Sequence, residues 1–163
     1  MDKKCAVILA AGEGTRMKSK KPKALAEVLF APMIDWVISA VKESGIDDIC
    51  VVKGFGAEYL DVCQRKGVLL VEELFDCWTK SKKQKDFGRY FADHYAEVVT
   101  SAIRRDWNNP AVIMWSLGNE VRTNLTLGDY SSSEIVNVCT MVNNAVKALD
   151  STRPTTMGNN APG

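Results

Sequence analysis

The sequence has no apolar run long enough to cross a bilayer, and Met1 to Lys4 leads straight into a short strand-like segment rather than into the long apolar stretch of a secretory signal. Both absences lead to the expectation of a cytoplasmic protein that meets no membrane. There is no C-x-x-C pair either. The five cysteines, Cys5, Cys50, Cys63, Cys77 and Cys139, are odd in number and widely spaced, which argues against a zinc site or a disulfide framework. Four of them fall on strand-like or helix-like segments, where a free cysteine serves as a small buried apolar residue. Excess charge is lacking: 21 basic residues stand against 20 acidic ones, so nothing advertises nucleic acid or an acidic partner. Histidine is limited to His94, and no repeat or low-complexity segment interrupts the chain. No metal or cofactor is expected.

What the chain does have is an alternation of short apolar runs and helical periods. Cys5 to Ala10 is an apolar run of strand length, stopped by the turn Ala11-Gly12-Glu13-Gly14-Thr15-Arg16. Met33, Trp36, Val37, Ala40 and Val41 recur at helical spacing, and Pro32 and Gly45 suit the two ends, which predicts a helix from about Pro32 to Ser44. Ile49 to Val52 reads as a second strand, apolar throughout. Ala57 to Lys66 is the pivotal segment, a crossover helix that turns Tyr59, Leu60 and Cys63 toward a sheet. Val68 to Val71 is a third strand closed by Glu72 and Glu73. The long loop after it, Leu74 to Asp86, carries Lys80, Lys82, Lys83 and Lys85 as a solvated basic run.

From Phe87 to about Arg105, the residues Phe87, Tyr90, Phe91, Tyr95, Val98, Val99, Ala102 and Ile103 keep helical period, and His94 falls on that stripe as a core or boundary residue. Ala111 to Leu117 is a fourth strand that runs into Gly118-Asn119-Glu120. Ser131 and Glu134 have the spacing of a capping box and open a helix buried through Ile135, Val138, Cys139, Val142, Ala145, Val146 and Leu149. Thr155 to Met157 suggests a short last strand, and Gly158 to Gly163 a fraying tail.

This order predicts an α/β protein, a single domain over residues 1–163 with about five parallel strands joined by right-handed crossover helices. Five strands do not close a barrel. The favoured arrangement is a Rossmann-like or flavodoxin-like open sheet in three layers. The alternative is a half-barrel with helices on one face, which would dimerise through its bare sheet face or edge.

Leu9-Ala10-Ala11-Gly12-Glu13-Gly14-Thr15-Arg16-Met17 with Pro22-Lys23, then Pro32-Met33 and Val51-Val52-Lys53-Gly54, resembles the uridyltransferase part of the bifunctional N-acetylglucosamine-1-phosphate uridyltransferases. The likeness covers residues 5 to about 58 and is far more specific than a lone glycine motif. Small residues there let backbone N–H groups approach a pyrophosphate, and a basic pair supplies positive charge for the leaving group. By the resemblance, Ala11, Gly12, Gly14, Thr15, Arg16 and Lys23 are the nucleotide-binding positions. The family's magnesium-holding segments have no recognisable counterpart in this sequence.

Gly67-Val68-Leu69-Leu70-Val71-Glu72-Glu73, Trp115-Ser116-Leu117-Gly118-Asn119-Glu120 and Asp150-Ser151-Thr152-Arg153-Pro154 resemble the β/α-barrel domain of the family 2 glycoside hydrolases, from about Leu60 to the C-terminus. The resemblance makes Glu120 the general acid/base and Asn119 the contact to the sugar 2-hydroxyl. Trp107 and Asn109 depart from the arginine and histidine more usual in that family. Retaining hydrolysis also needs a second carboxylate about 5 Å from the first, and in the family it comes from a later barrel strand.

The expectation is therefore an engineered chimera joined within the crossover helix, residues 1–58 from one family and 59–163 from the other. Both catalytic sets are expected to be incomplete, so that Glu120, Asn119 and the glycine loop are vestigial and the chain is not an enzyme; the alternatives are residual binding of a uridine nucleotide or phosphate at the Gly12 to Arg16 loop and weak glycosidase activity through Glu120.

Overall fold

The computed structural model describes residues 4–10, 22–53, 58–120 and 130–158. The α/β class and the five parallel strands are as expected. Strand β1 (Cys5–Leu9) is followed by the short hairpin of β2 (Glu27–Val28) and β3 (Ala31–Pro32), helix α1 (Met33–Glu43), β4 (Asp48–Lys53) and helix α2 (Glu58–Lys66). Then come β5 (Leu69–Glu73), α3 (Phe91–Asp106), β6 (Val112–Ser116), α4 (Ser132–Leu149) and β7 (Thr155–Thr156). The sheet order is β1-β4-β5-β6-β7. That order is sequential, as in a segment of a barrel and in the half-barrel alternative. A Rossmann-like or flavodoxin-like sheet reverses direction at a switch point, and this one does not.

The chain divides into two compact units, Met1–Glu72 with Asn109–Ile113, and Glu73–Asn108 with Met114–Gly163. In the first unit β1 pairs in parallel with β4, Val7 opposite Cys50, and β4 pairs with β5, Val51 opposite Leu70. Ile49, Val51 and Leu70 are buried on one face, while Cys5, Val7, Leu9 and Leu69 on the other are exposed. Parallel strands joined by right-handed crossovers in sequential order carry their helices on one side, and among the described residues of this unit one sheet face is buried while the other is exposed to half-buried.

Helix α1 buries Ile34 and Ile38. This corrects the expected stripe: Trp36 and Val37 are about half exposed and Ala40 is exposed. The indole of Trp36 is drawn outward, donating to the carbonyl of Val28 at 2.8 Å in the hairpin. Gly45, at φ +79°, ends α1 in a conformation that glycine adopts without a Cβ penalty. Helix α2 buries Tyr59, Leu60, Val62 and Cys63, the face expected of it. Tyr59 donates its hydroxyl to Ala10 O at 3.1 Å, and Lys42 caps the end of α2 by donating to Lys66 O at 2.6 Å.

The β2–β3 hairpin has no counterpart in the sequence reading. Its two turn residues, Leu29 and Phe30, sit at φ 50° and 73° and are exposed. Both central residues of such a turn need positive φ, a conformation that favours Asn and Gly.

In the second unit a 3-10 turn, Phe87–Tyr90, is capped by Asp86, which accepts from Gly88 N at 3.0 Å. Helix α3 buries Phe91, Val99, Ala102, Ile103 and Asp106. His94 lies on its exposed side, 3.5 Å from Glu97, not on the core stripe or its boundary. Among the cysteines, Cys63 and Cys77 are buried, while Cys5 is exposed because it lies on the bare face of β1. Helix α4 opens with the expected capping box: Ser131 Oγ accepts from Glu134 N, and Glu134 Oε2 accepts from Ser131 N at 2.7 Å. After α4, Asp150 accepts from Trp115 Nε1 at 2.9 Å, Thr152 N at 2.9 Å and Arg153 Nη1 at 2.8 Å. Arg153 Nη2 also donates to Trp107 O at 2.7 Å. The buried Asp150 thereby fastens the turn between α4 and β7 to β6. Among the described residues no helix is long and apolar enough to cross a membrane.

Candidate active site

The acidic strand ends meet in the second unit. Beyond β6 the chain is held from two sides: Leu117 N donates to Thr156 O at 2.8 Å, and Asn119 N donates to Phe75 O at 2.9 Å. The buried indole of Trp78 donates to Leu117 O at 2.9 Å, and Leu74 N donates to Ser116 O at 2.9 Å. These bonds fix the backbone that presents Asn119 and Glu120. Glu120 itself has φ 42° and an exposed side chain, as befits an acid at the C-terminal edge of a sheet.

Asn119 is engaged locally. Its Nδ2 donates to Asp76 Oδ1 at 3.1 Å, while Lys82 Nζ donates to Asn119 O at 2.6 Å and to Asp76 Oδ1 at 3.3 Å. The basic run of the loop is therefore not simply solvated. Lys82 is largely buried against the main-chain carbonyl of Asn119 and the Asp76 carboxylate, and Lys80 reaches Glu134 at 3.4 Å, because the loop folds back over its own strand end.

Sequence reasoning passed over Glu73. It is buried, and Ser116 Oγ lies 3.4 Å from its Oε2. Burial pushes its carboxyl up to about 7; the Ser116 contact opposes this, and the neighbouring negative charge of Asp76 and Glu120 adds to it. The signal in the sequence was the acidic pair at the end of a strand, but the burial that makes Glu73 titrate near neutrality comes from tertiary packing. Its neighbour Glu72 belongs to the first unit, where its Oε2 lies 2.7 Å from Nζ of the fully buried Lys53.

Of the nucleotide-binding positions, Ala11, Gly12, Gly14, Thr15 and Arg16 lie outside the described residues. Lys23 stands in a 3-10 turn, Lys23–Leu25, and with Leu9, Ala10, Ala24 and Met33 lines a cavity of about 290 Å³ at the C-terminal end of β1. A second cavity of about 740 Å³ in the same unit, lined by Leu25, Glu27, Pro32, Asp61 and Arg65 among others, contains none of the predicted site residues. Among the described residues no group of histidine, cysteine, aspartate and glutamate side chains could hold a metal ion.

A sequential parallel sheet that ends a strand in Trp-Ser-Leu-Gly-Asn-Glu defines a piece of a glycoside hydrolase barrel. The chain belongs to glycosyl hydrolase family 2, whose TIM barrel domain matches residues 53–162. Residues 6–78 match the MobA-like NTP transferase domain, so a nucleotidyltransferase fragment and a glycoside hydrolase fragment make up the two parts of the chain. The beta-galactosidase BoGH2A of Bacteroides ovatus is 34% identical over 151 residues, covering 77% of this chain and 18% of the relative. The bifunctional protein GlmU of Staphylococcus epidermidis is 57% identical over 53 residues, covering 32% of this chain and 12% of that protein. Among solved structures, a glycosyl hydrolase family 2 member from Bacteroides cellulosilyticus superposes with a TM-score of 0.68 at 30% identity, over all of this chain and 19% of that one. The chain thus spans less than a fifth of the length of these relatives.

Proposed function

We propose that this chain is an engineered recombinant in which partial nucleotidyltransferase and glycoside hydrolase domains share one βα frame and neither parental reaction runs. The observation that carries this reading is the state of the acids at the strand ends. Glu120 is exposed, and the acid that bears on it, Glu73, holds its proton up to about 7. Double displacement needs an ionised carboxylate as nucleophile beside the acid/base. A protonated, buried Glu73 does not supply one. Asn119, tied to Asp76, is likewise turned from a sugar hydroxyl to a protein carboxylate. The test is release of nitrophenol from an aryl β-galactoside by the chain and by Glu120→Gln. Equal background rates are expected, and a rate that falls with Glu120 overturns the reading.

A second reading, residual binding of a uridine nucleotide or phosphate, is favoured by the cavity beside Lys23 at the end of β1. In parallel α/β sheets anions bind outside the C-terminal ends of the strands. Calorimetry with UTP tests it: binding that weakens in Lys23→Ala supports it, and no heat at millimolar nucleotide removes it.

A further inference from the structure

We propose that the cavity of about 290 Å³ at the C-terminal end of β1 takes a small apolar carboxylate, its alkyl chain lying on Leu9, Met33 and Val37 and its charge meeting Lys23. The inference shares this cavity with the nucleotide reading but assigns it a different ligand, so each can fail without the other. Among the described residues of the lining, Leu9, Ala10, Met33, Ile34 and Val37 are apolar, and Lys23 carries the one polar side chain. No acid stands beside it there, and its ammonium has no ion-pair or hydrogen-bond partner among the described residues. Leu9 is 81% exposed and Val37 45%, so two aliphatic side chains line a concavity and are left to water. A ligand that covers them gains in proportion to the apolar area removed from water.

The main-chain donors around the cavity decide between ligand classes, because they are already committed within the protein. Ala10 N donates to Val52 O at 2.8 Å, Leu25 N to Pro22 O at 2.9 Å and Met33 N to Ala26 O at 3.0 Å. A pyrimidine base would bury the donor and acceptors of its edge against aliphatic walls, which costs affinity. A triphosphate would set several negative charges against one lysine. An aliphatic carboxylate brings one charge for that ammonium and has no other polar group to satisfy. The volume stands at the lower end of the range for small-molecule sites, so the chain it takes is short and unbranched, and the flexible thioether of Met33 adapts to its length.

Amide chemical shifts of the isotope-labelled chain, titrated with butyrate, hexanoate and octanoate, test the assignment. Shifts are expected at Leu9, Ala24 and Val37, with affinity rising about fourfold for each methylene buried. Lys23→Gln is expected to weaken octanoate by about fivefold and to leave neutral octan-1-ol unchanged. Val37→Glu, which sets a like charge in the cavity, is expected to weaken octanoate further. Lys23 and Val37 are both exposed, so the fold is retained, and an unchanged thermal melt checks this. No shift at millimolar octanoate, equal binding of butyrate and octanoate, or octanoate binding indifferent to Lys23→Gln overturns the proposal. A separate titration with UTP keeps the two readings apart: octanoate binding without UTP binding removes the nucleotide alone, and UTP binding without octanoate binding removes the carboxylate alone.

Discussion

Lys53 and Glu72 stand opposite each other in register on β4 and β5, Nζ 2.7 Å from Oε2, both buried. Lys53 precedes the crossover helix and Glu72 follows it, so this ion pair ties together the two strands that the helix connects. Two charges taken out of water gain little over a well-packed apolar pair, but stranding one of them is costly. Lys53→Met or Glu72→Leu alone is expected to cost about 3–5 kcal/mol, and the double substitution far less. Urea denaturation of the four proteins measures the coupling; additive losses would contradict it.

Glu73 gives stability a pH dependence of unusual sign for a carboxylate. Its folded value, raised to about 7 from an ordinary 4.5, means that folding takes up a proton between those limits. Stability should therefore fall as the pH rises through that window, by up to about 3 kcal/mol, and level off above it. Glu73→Gln is expected to remove that slope and to raise stability at pH 8, which thermal unfolding across pH reports.

Asp150 behaves in the opposite sense. Although burial works the other way, hydrogen bonds from Thr152, Arg153 and Trp115 hold its carboxyl well below the usual carboxylate range. Its contribution is present above the ordinary value near 3.8 and is lost as the pH falls through and below it. Asp150→Ala leaves the buried Trp115 indole N–H without its acceptor and removes the ion pair with Arg153, which keeps its bond to Trp107 O, and a loss of about 3 kcal/mol is expected in chemical denaturation.

Leu29 and Phe30 predict a gain. Two bulky residues at positive φ each cost about 1 kcal/mol or more, so replacing the pair by Asn-Gly should stabilise the chain by about 1–2 kcal/mol. A rise in melting temperature checks it.

At the opposite end of the chain, Ser131→Ala removes half of a capping box and is expected to cost about 1 kcal/mol. Ser131→Asp, which caps as well, should cost little.

The elements whose side chains announce themselves locally were legible in the sequence. Tyr59, Leu60 and Cys63 lie at helical spacing and are buried, and Ser131 and Glu134 form the box their spacing implies. The β2–β3 hairpin escaped notice because Leu29 and Phe30 carry none of the usual turn chemistry. Trp36 falls at the helical spacing of the other apolar residues of α1, but its N–H finds a carbonyl acceptor at the surface. His94 shows the limit of a stripe read by period alone: one helical step separates a buried position from an exposed one. For the site, the Asn119-Glu120 pair was visible as a motif. The role of Asp76 and Lys82 in holding Asn119, and the raised acid of Glu73, depend on a loop folding back over its own strand, which no local pattern encodes.

The central claim, that the acid/base position has no working nucleophile beside it, is tested most directly by covalent trapping. A retaining hydrolase given a 2-deoxy-2-fluoro galactoside with a good leaving group accumulates a glycosyl-enzyme. Intact-mass spectrometry of this chain after incubation at pH 5 to 6, where Glu73 keeps its proton, is predicted to show the unmodified protein. A stoichiometric increment of one fluorosugar, mapped to any carboxylate of the chain, would contradict the account.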